Sequence, residues 1–323
     1  MNGEPMSTSF PPWTEEHEMI RSTVRSFATE KLAPFAAEWD KAQSYPAREV
    51  IGEMAKLGLL GIRYPEEYGG MGLDWWSSAA YIESMAYSKS AGLMMSVLVH
   101  TDMATPVISE IGTDEQKEEF LAPAISGEKI AALGVTEPGA GSDVASIRTT
   151  AKMDGDDFII NGQKTYITNG SFADFIVLAV RTGDDGFGGI SLVLFPTDTP
   201  GFTVGRKLDK LGTRCVDSSE LHFDNCRIPQ RNLLGSLNGG FIHIMQNFQG
   251  ERLAAALMAT SGMELQVQES LKYGRERQAF GRPIIGFQVW RHKFAEHLGA
   301  IKAAQMLTYH AVDKMNQGVD ATL

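Results

Sequence analysis

Residues 136–143 read TEPGAGSD and directly follow the apolar run KIAALGV. Such a stretch cannot fill a core, but its backbone can approach a ligand closely, because Gly139 and Gly141 have no Cβ and tolerate a positive φ. Thr136 and Ser142 add short hydrogen-bonding side chains. The octet predicts either a ligand-binding loop or an ordinary turn after a strand, and a single motif of this kind does not separate the two.

Two familiar phosphate-binding motifs do not explain this loop. The sequence has no GxGxxG that follows a strand and opens a helix, and it has no GxxxxGK[ST], which argues against a Rossmann fold and a P-loop. The seven histidines are scattered, without HExxH or an i,i+4 pair, so no metal site is predicted. The loop lies where a helical segment meets a strand-rich one, and such junctions favour concave ligand sites.

Composition places the chain among ordinary globular proteins. It has 323 residues, 43% hydrophobic and 21% charged, which is enough for two or three domains or one large one. The net charge of −11 and the lack of a basic cluster argue against nucleic-acid binding. Cys215 and Cys226 form no CxxC pair and are predicted to be buried or half-buried thiols. We recognise no targeting peptide or apolar run of membrane-spanning length, so the cytoplasm is the expected compartment.

The periodicity of apolar residues divides the chain into three parts. Helical spacing runs from Thr14 to about Gly127, including a helix predicted over REVIGEMAKLGLLGI and a capping box at Thr113 and Gln116. Short runs rich in Val, Ile, Thr, Phe and Tyr follow, joined by turn dipeptides and without intervening helices. They predict an antiparallel barrel or sandwich. Helical spacing then returns.

This order predicts an α+β protein of three domains. We expect an N-terminal helical domain at residues 1–128, a central antiparallel β domain at 129–235 and a C-terminal helical domain at 236–323. No internal repeat interrupts this order.

Three longer blocks of sequence carry a family resemblance. They are LGLLGIRYPEEYGGMGLD, LGVTEPGAGSDVASIRTTAKMDGDDFIINGQKTYITNG and RERQAFGRPIIGFQ. In order and spacing they resemble the acyl-CoA dehydrogenase family of flavoproteins, over essentially the whole chain. The shorter stretches TDMATP and NFQGERL resemble most the citronellyl-CoA dehydrogenase-like branch. The resemblance implies FAD as cofactor and an acyl-CoA thioester as substrate.

By this resemblance the Gly-rich loop lies under the flavin. Its backbone amides and the Thr136 hydroxyl are expected to bind the pyrimidine edge, while Ser142 reaches phosphate or the acyl-CoA. The aromatic-Ile-Thr block of the family is Tyr166, Ile167 and Thr168 here, with Tyr where many relatives have Trp. The cofactor-binding residues implied in this part of the chain are Leu133, Val135, Thr136, Gly141, Ser142, Tyr166, Ile167 and Thr168.

A second cofactor contact is implied near the C-terminus. Arg277 is expected to bind the FAD pyrophosphate of a neighbouring subunit, with Gln288 close by, which implies a homotetramer. An arginine fork suits phosphate oxygens. The family's threonine beside this contact is Ala279 here, so one hydrogen bond is expected to be missing.

The expected reaction needs a carboxylate base for the α-proton of the thioester. In one part of the family this base lies on a helix, and Glu251 matches its position; the resemblance also assigns Arg252 to substrate binding. Ala254 and Ala255 lie at i+3 and i+4, no Lys or Arg occupies i±3 or i±4, and we expect an unpaired carboxylate. Glu137, with other loop and strand acids, is expected to be structural.

The expected activity is α,β-dehydrogenation of an acyl-CoA to the trans-2-enoyl-CoA, with electrons leaving to an electron-transferring flavoprotein. A flavin oxidase of the same fold is an alternative. By resemblance the sequence stops at Leu323, before the last helices of the family, and a catalytically silent acyl-CoA- or flavin-binding subunit is therefore the other alternative.

Overall fold

The computed structural model describes residues 10–319 and residue 321. The chain divides into two compact units. The helical unit takes the described residues up to Pro34, Asp74–Ala91 and the chain from Arg252 onward, and the sheet unit takes Phe35–Leu73 and Gly92–Glu251.

The α-helices account for the first and last parts of the chain. Those of the described residues are α1 (Glu15–Phe27), α2 (Ala36–Ala42), α3 (Ala47–Lys56), α4 (Trp75–Met85), α5 (Ala91–Leu98), α6 (Pro106–Ile111), α7 (Asp114–Gln116), α8 (Ala122–Ile125), α9 (Gly240–Glu276) and α10 (Gln288–Asn316). Three π-helical segments, at Ala28–Leu32, Val99–Ala104 and Lys117–Leu121, lie between them.

Local sequence explains where several helices begin and end. The predicted capping box is confirmed at the start of α7, where the Thr113 hydroxyl accepts from the Gln116 N–H and the Gln116 side chain accepts from the Thr113 N–H. The helix predicted over residues 48–62 was too long, since α3 ends at Lys56. Gly58 follows with a φ of 73°, a conformation that continues no right-handed helix.

The strands form the middle of the chain. They are β1 (Ala131–Gly134), β2 (Thr150–Asp154), β3 (Asp157–Ile167), β4 (Phe175–Arg181), β5 (Ile190–Pro196), β6 (Phe202–Lys207), β7 (Ser219–Pro229), β8 (Leu233–Leu234), β9 (Gln278–Ala279) and β10 (Arg282–Pro283). The sheet runs β6-β7-β3-β2-β4-β5-β8, with β1 beside β4, and β9 and β10 form a separate hairpin. This open order fits a sandwich and not a closed barrel.

The prediction of a purely antiparallel sheet was wrong at two pairs. β1 lies parallel to β4 over its whole length, with Leu133 opposite Val177, and β2 meets β4 in parallel at Thr150 and Arg181. The segments joining these strands are long enough for a crossover. By contrast, only a short turn separates β2 from β3, and such a short connection requires antiparallel pairing.

The core of the sheet unit lies on both faces of β4. Phe175, Val177 and Ala179 pack in one cluster with buried residues of α6 and α8. The alternate residues of β4, such as Ile176 and Leu178, pack in a second cluster with β3 and β7. Side chains alternate along a strand, so this continuously apolar strand supports both layers and holds the neighbouring β1 in place.

One apolar helical stretch, Ala91–Ile111, is long enough to cross a membrane by length and composition. The expectation that no run approaches this length was therefore wrong. A window of residues within this stretch has a mean hydropathy of 1.3, and 78% of that window is buried inside the protein. That burial is typical of a core helix, because a membrane span turns apolar side chains to lipid.

Candidate functional site

The Gly-rich loop leaves the sheet at the end of β1. A Cβ on Gly134 would lie 2.9 Å from side-chain atoms of both Ile176 and Leu178, so this glycine is needed for packing. The next residues form a tight turn, in which the Glu137 N–H donates to the Ala140 oxygen at 2.9 Å and the reverse bond measures 3.1 Å. The loop is thus a defined structure and not a loose connection.

The exposed side of this loop is open. A Cβ added to Gly139 or Gly141 would meet no atom within 4 Å. Neither glycine has a left-handed φ, so the loop does not need their freedom to adopt a positive φ, contrary to expectation. Their lack of side chains instead leaves space above the backbone, a cradle that a Cβ would fill. Ser142 is also exposed, and Thr136 is half-buried.

The end of β3 runs beside this loop. The Thr165 N–H donates to the Thr136 oxygen at 2.9 Å. The pairing of β3 with β7 is irregular between Lys164 and Ile167. Within this bulge Tyr166 adopts a φ of 60° and is 67% exposed. A left-handed aromatic residue is strained, and such strain marks functional sites.

The other predicted residues of the two segments are less exposed. Ile167 is buried, and Thr168 and Leu133 are half-buried. Val135 is buried, and its carbonyl accepts a hydrogen bond from Lys164. Together the two segments present a backbone without side chains above it, an exposed aromatic ring and nearby polar groups. These features fit a flat ring system with polar edges, such as a flavin.

The candidate base lies on α9 in a polar contact. The half-buried Glu251 accepts a hydrogen bond from the Asn247 amide at 2.7 Å, and this amide also donates to the Met103 carbonyl at 2.8 Å. The expectation of an unpaired carboxylate was therefore wrong. Asn247 lies one helical turn before Glu251, which is the spacing at which helix side chains meet. The contact joins Glu251 to the π-helical segment Val99–Ala104.

That π-helical segment is itself held by buried polar contacts. His100 bonds the Ala124 carbonyl through Nε2 at 3.0 Å and accepts from the Ala131 N–H through Nδ1 at 3.0 Å. Burial lowers the pKa of His100 to about 4, so the ring is neutral with its proton on Nε2. Arg63 pairs with the buried Asp102 at 3.0 Å. Irregular helical turns of this type recur at functional sites.

The remaining predicted residues lie in the helical unit. Arg252 is exposed on α9, Arg277 is exposed immediately after that helix, and Gln288 is the exposed first residue of α10. The β9–β10 hairpin lies between Arg277 and Gln288 and turns at Phe280, which has a φ of 52° and is 96% exposed. Ala279 is half-buried within it.

The sequence reading missed three residues of these networks. Lys164, Asn247 and His100 are each at least nine-tenths buried and bond functional segments to each other. The i−4 spacing to Glu251 was a usable signal for Asn247, whereas the partners of Lys164 and His100 are distant in sequence.

Models of three known domains match the chain in order. They are the N-terminal domain of acyl-CoA dehydrogenase at residues 14–128, the middle domain at residues 132–226 and the C-terminal domain at residues 238–322. Together they cover nearly the whole chain.

Individual proteins are similar over the same length. The long-chain specific mitochondrial acyl-CoA dehydrogenase of Sus scrofa is 40% identical over 88% of this chain. The chain spans 66% of that relative. A probable acyl-CoA dehydrogenase structure from Mycobacterium abscessus is 42% identical, with a TM-score of 0.92, over 95% of this chain and 81% of the other. A structure described as the electron-transferring flavoprotein of Acidaminococcus fermentans is 37% identical, with a TM-score of 0.93, over 97% and 82%.

Proposed function

The chain belongs to the acyl-CoA dehydrogenase family, and from this premise we propose that it is an FAD-dependent acyl-CoA dehydrogenase. The proposed reaction removes two hydrogens from the Cα–Cβ bond of an acyl-CoA and gives the trans-2-enoyl-CoA. One structural observation supports it most. The open Gly-rich loop is bonded to the strand that carries the strained, exposed Tyr166.

FAD is the cofactor of this family, and when bound it supplies the acceptor for the hydride that leaves Cβ. Thr136, Ser142 and the backbone around Gly141 are proposed to bind its polar edge and phosphate. Tyr166 and Thr168 are proposed to border the ring system, with Ile167 buried beneath them. Leu133 and Val135 support the loop from the end of β1.

Glu251 is proposed to take the α-proton of the thioester. A carboxylate on a rigid helix can be held within hydrogen-bond reach of that proton, which general base catalysis requires. The Asn247 amide donates to one carboxylate oxygen, which restrains its rotation. Arg252, the next residue, is proposed to contact the acyl-CoA.

We also propose a homotetramer built from domains at residues 1–128, 129–235 and 236–323. Its supporting feature is the pair of exposed polar residues at the β9–β10 hairpin, Arg277 and Gln288, which in the tetramer would bind the FAD of a neighbouring subunit. Arg277→Ala should weaken FAD binding, whereas Arg275→Ala, a matched change at an exposed arginine on the same stretch, should not. Light scattering after gel filtration measures the assembly.

The finer substrate assignment rests on two stretches of sequence. TDMATP begins in the π-helical segment and ends at the start of α6, and NFQGERL carries Glu251. Both stretches resemble the citronellyl-CoA dehydrogenase-like branch. A branched isoprenoid acyl-CoA is therefore the proposed substrate, and the cytoplasm is the proposed compartment. Initial rates with citronellyl-CoA and with straight-chain acyl-CoA esters test this choice.

The activity is tested by two mixing experiments. FAD-loaded protein is reduced with acyl-CoA in the absence of oxygen, and the reduced protein is then mixed with electron-transferring flavoprotein or with air-saturated buffer. Faster reoxidation by the carrier protein supports a dehydrogenase. Faster reoxidation by oxygen identifies an oxidase, and a failure of acyl-CoA to bleach the flavin contradicts both activities.

A further inference from the structure

A buried ion pair joins Glu137 of the Gly-rich loop to Lys164 of β3. The Lys164 ammonium donates to a Glu137 carboxylate oxygen at 2.8 Å and to the Val135 carbonyl at 3.0 Å. Lys164 has no exposed side-chain surface, and the Glu137 side chain is 7% exposed. Solvent therefore screens this pair very little.

Glu137 also holds the chain that follows the loop. Its two carboxylate oxygens accept from the backbone N–H groups of Arg148 and Thr149 at 2.6 and 3.0 Å. Burial alone would raise the pKa of Glu137, but the Lys164 charge and these donors outweigh it and lower the pKa. Burial lowers the pKa of Lys164 to about 8, an effect that Glu137 partly offsets.

A gain in folding stability does not by itself explain why a protein keeps a buried ion pair. Removing two charges from water costs several kcal/mol per ion, and well-packed apolar residues of similar volume are often as stabilising or more so. A buried ion pair does select geometry, because each charge tolerates few alternative partners. The pair therefore favours one arrangement of the segments that it joins.

Those segments carry the proposed flavin contacts. Val135 and Glu137 lie on either side of Thr136, and Lys164 lies two residues before Tyr166. The bulge in β3 begins immediately after Lys164. A shift of the ammonium would displace both the loop and the start of this bulge.

We propose that Lys164 and Glu137 are positioning residues that hold the Gly-rich loop and Tyr166 in register for FAD. The proposal rests on the FAD site proposed above and adds to it a buried pair that acts through the two segments it joins. Its role is to order residues 135–142 and the Tyr166 bulge before the cofactor binds. FAD binding then does not have to overcome the conformational entropy of ordering these residues.

The test compares three variants with the parent chain. Lys164→Met removes the ammonium and keeps an unbranched side chain, and Glu137→Gln is nearly isosteric. Lys56→Met is the matched control, since Lys56 pairs with Glu53 on the surface of the same unit. FAD affinity is measured by quenching of flavin fluorescence, and backbone hydrogen exchange is measured without FAD.

Lys164→Met and Glu137→Gln should weaken FAD binding at least about tenfold, a loss of about 1.4 kcal/mol. Amides of residues 135–142 and 148–149 should exchange faster in the FAD-free variants, while those of β4 stay protected. Lys56→Met should match the parent in both measurements. If Lys164→Met does not fold, the near-isosteric Glu137→Gln gives the decision.

Two results contradict the proposal in distinguishable ways. Variants that melt at a lower temperature but bind FAD like the parent show that the pair serves stability alone. A parent chain that takes up no FAD contradicts the proposed function itself, and with it the purpose assigned to the pair.

Discussion

Glu251 is the residue on which the proposed chemistry depends most. Its side chain is half-buried and accepts a hydrogen bond from Asn247, which in turn is bonded to the π-helical segment through Met103. A base restrained in this way loses little entropy on reaching its substrate. The contact also means that the carboxylate has an orientation before any substrate binds.

Glu251→Gln should slow the reduction of the flavin by acyl-CoA about 10²-fold or more, because a positioned base is lost. FAD and acyl-CoA should still bind, since the amide keeps the volume and can still accept a hydrogen bond. Stopped-flow absorbance measures the rate. Glu276→Gln, at an exposed position on the same helix, is the control, and an unchanged rate in Glu251→Gln would remove Glu251 from the mechanism.

Tyr166 combines strain with exposure. In the FAD-free protein, Tyr166→Gly should change the free energy of unfolding by no more than about 1 kcal/mol, because relief of the left-handed conformation offsets the small loss of packing. FAD affinity should fall, whereas Tyr166→Phe should keep most of it. Urea unfolding and flavin titration measure the two quantities. Parent-like affinity in Tyr166→Gly would show that the ring does not contact the flavin.

At the residue scale the sequence indicated candidate functional residues better than it indicated the hydrogen-bond and ion-pair partners of those residues. Thr113 and Gln116 were predicted as a pair because both members of a capping box lie within one turn. The Asn247 contact was not predicted although it is equally local, because it is a hydrogen bond from a neutral amide and not the i±3 or i±4 ion pair that charge spacing indicates. Lys164 could not be paired with Glu137, since the bond crosses between segments whose pairing depends on the folded sheet.

The last glycine of β1 and the glycines of the loop that follows it have different roles. Gly134 is packed against the sheet, whereas Gly141 faces open space with an ordinary φ. The same type of residue therefore serves the fold at the first position and the proposed ligand at the second.

Gly141→Val should leave the fold intact and strongly reduce FAD binding, because the side chain would occupy the space above the loop. Gly134→Ala should destabilise the fold by roughly 1–3 kcal/mol, since its Cβ overpacks the core. Thermal melting of the FAD-free proteins and flavin titration separate the effects. A Gly141→Val protein with parent-like FAD content would show that the loop is only a turn.

His100 makes the stability of the sheet unit sensitive to acid. Burial of the ring lowers its pKa from the ordinary value of 6.5 to about 4 in the folded protein. Below about pH 6.5 this residue binds a proton in the unfolded chain but stays neutral in the folded chain. The free energy of unfolding therefore decreases as the pH falls towards 4. The full effect is about 3 kcal/mol. Urea unfolding across this range should show a shallower pH dependence in His100→Gln than in the parent.

The exposed His310 supplies the control, because His310→Gln should keep the parent slope. An equal slope in the parent and in His100→Gln would mean that His100 is not the group that makes folding acid-sensitive.

At the element scale, helices and strands followed from periodicity, but their pairing did not. β4 reads as a continuous apolar run, and it is buried on both faces. Apolar periodicity does not say which strands are neighbours, and the parallel neighbour β1 depends on a crossover that periodicity does not describe. The early end of α3 at Lys56 reflects the left-handed Gly58, which the apolar spacing concealed.

At the scale of the whole molecule, the sequence resemblance gave more information about function than the amino-acid composition did. Composition excluded classes of protein, and the three blocks in order indicated the family that the domain models support. The division into a helical unit and a sheet unit does not follow the chain order, since the helical unit draws on three separate stretches. Such a division depends on tertiary contacts, which no local pattern reports.

The most direct test of the proposed function is a single anaerobic turnover. The chain is loaded with FAD and mixed with an equimolar acyl-CoA, and both the visible absorbance of the flavin and the acyl-CoA product are followed. The proposed function predicts bleaching of the flavin together with a stoichiometric amount of trans-2-enoyl-CoA. Flavin that stays oxidised in fully loaded protein, with the acyl-CoA recovered unchanged, would contradict it.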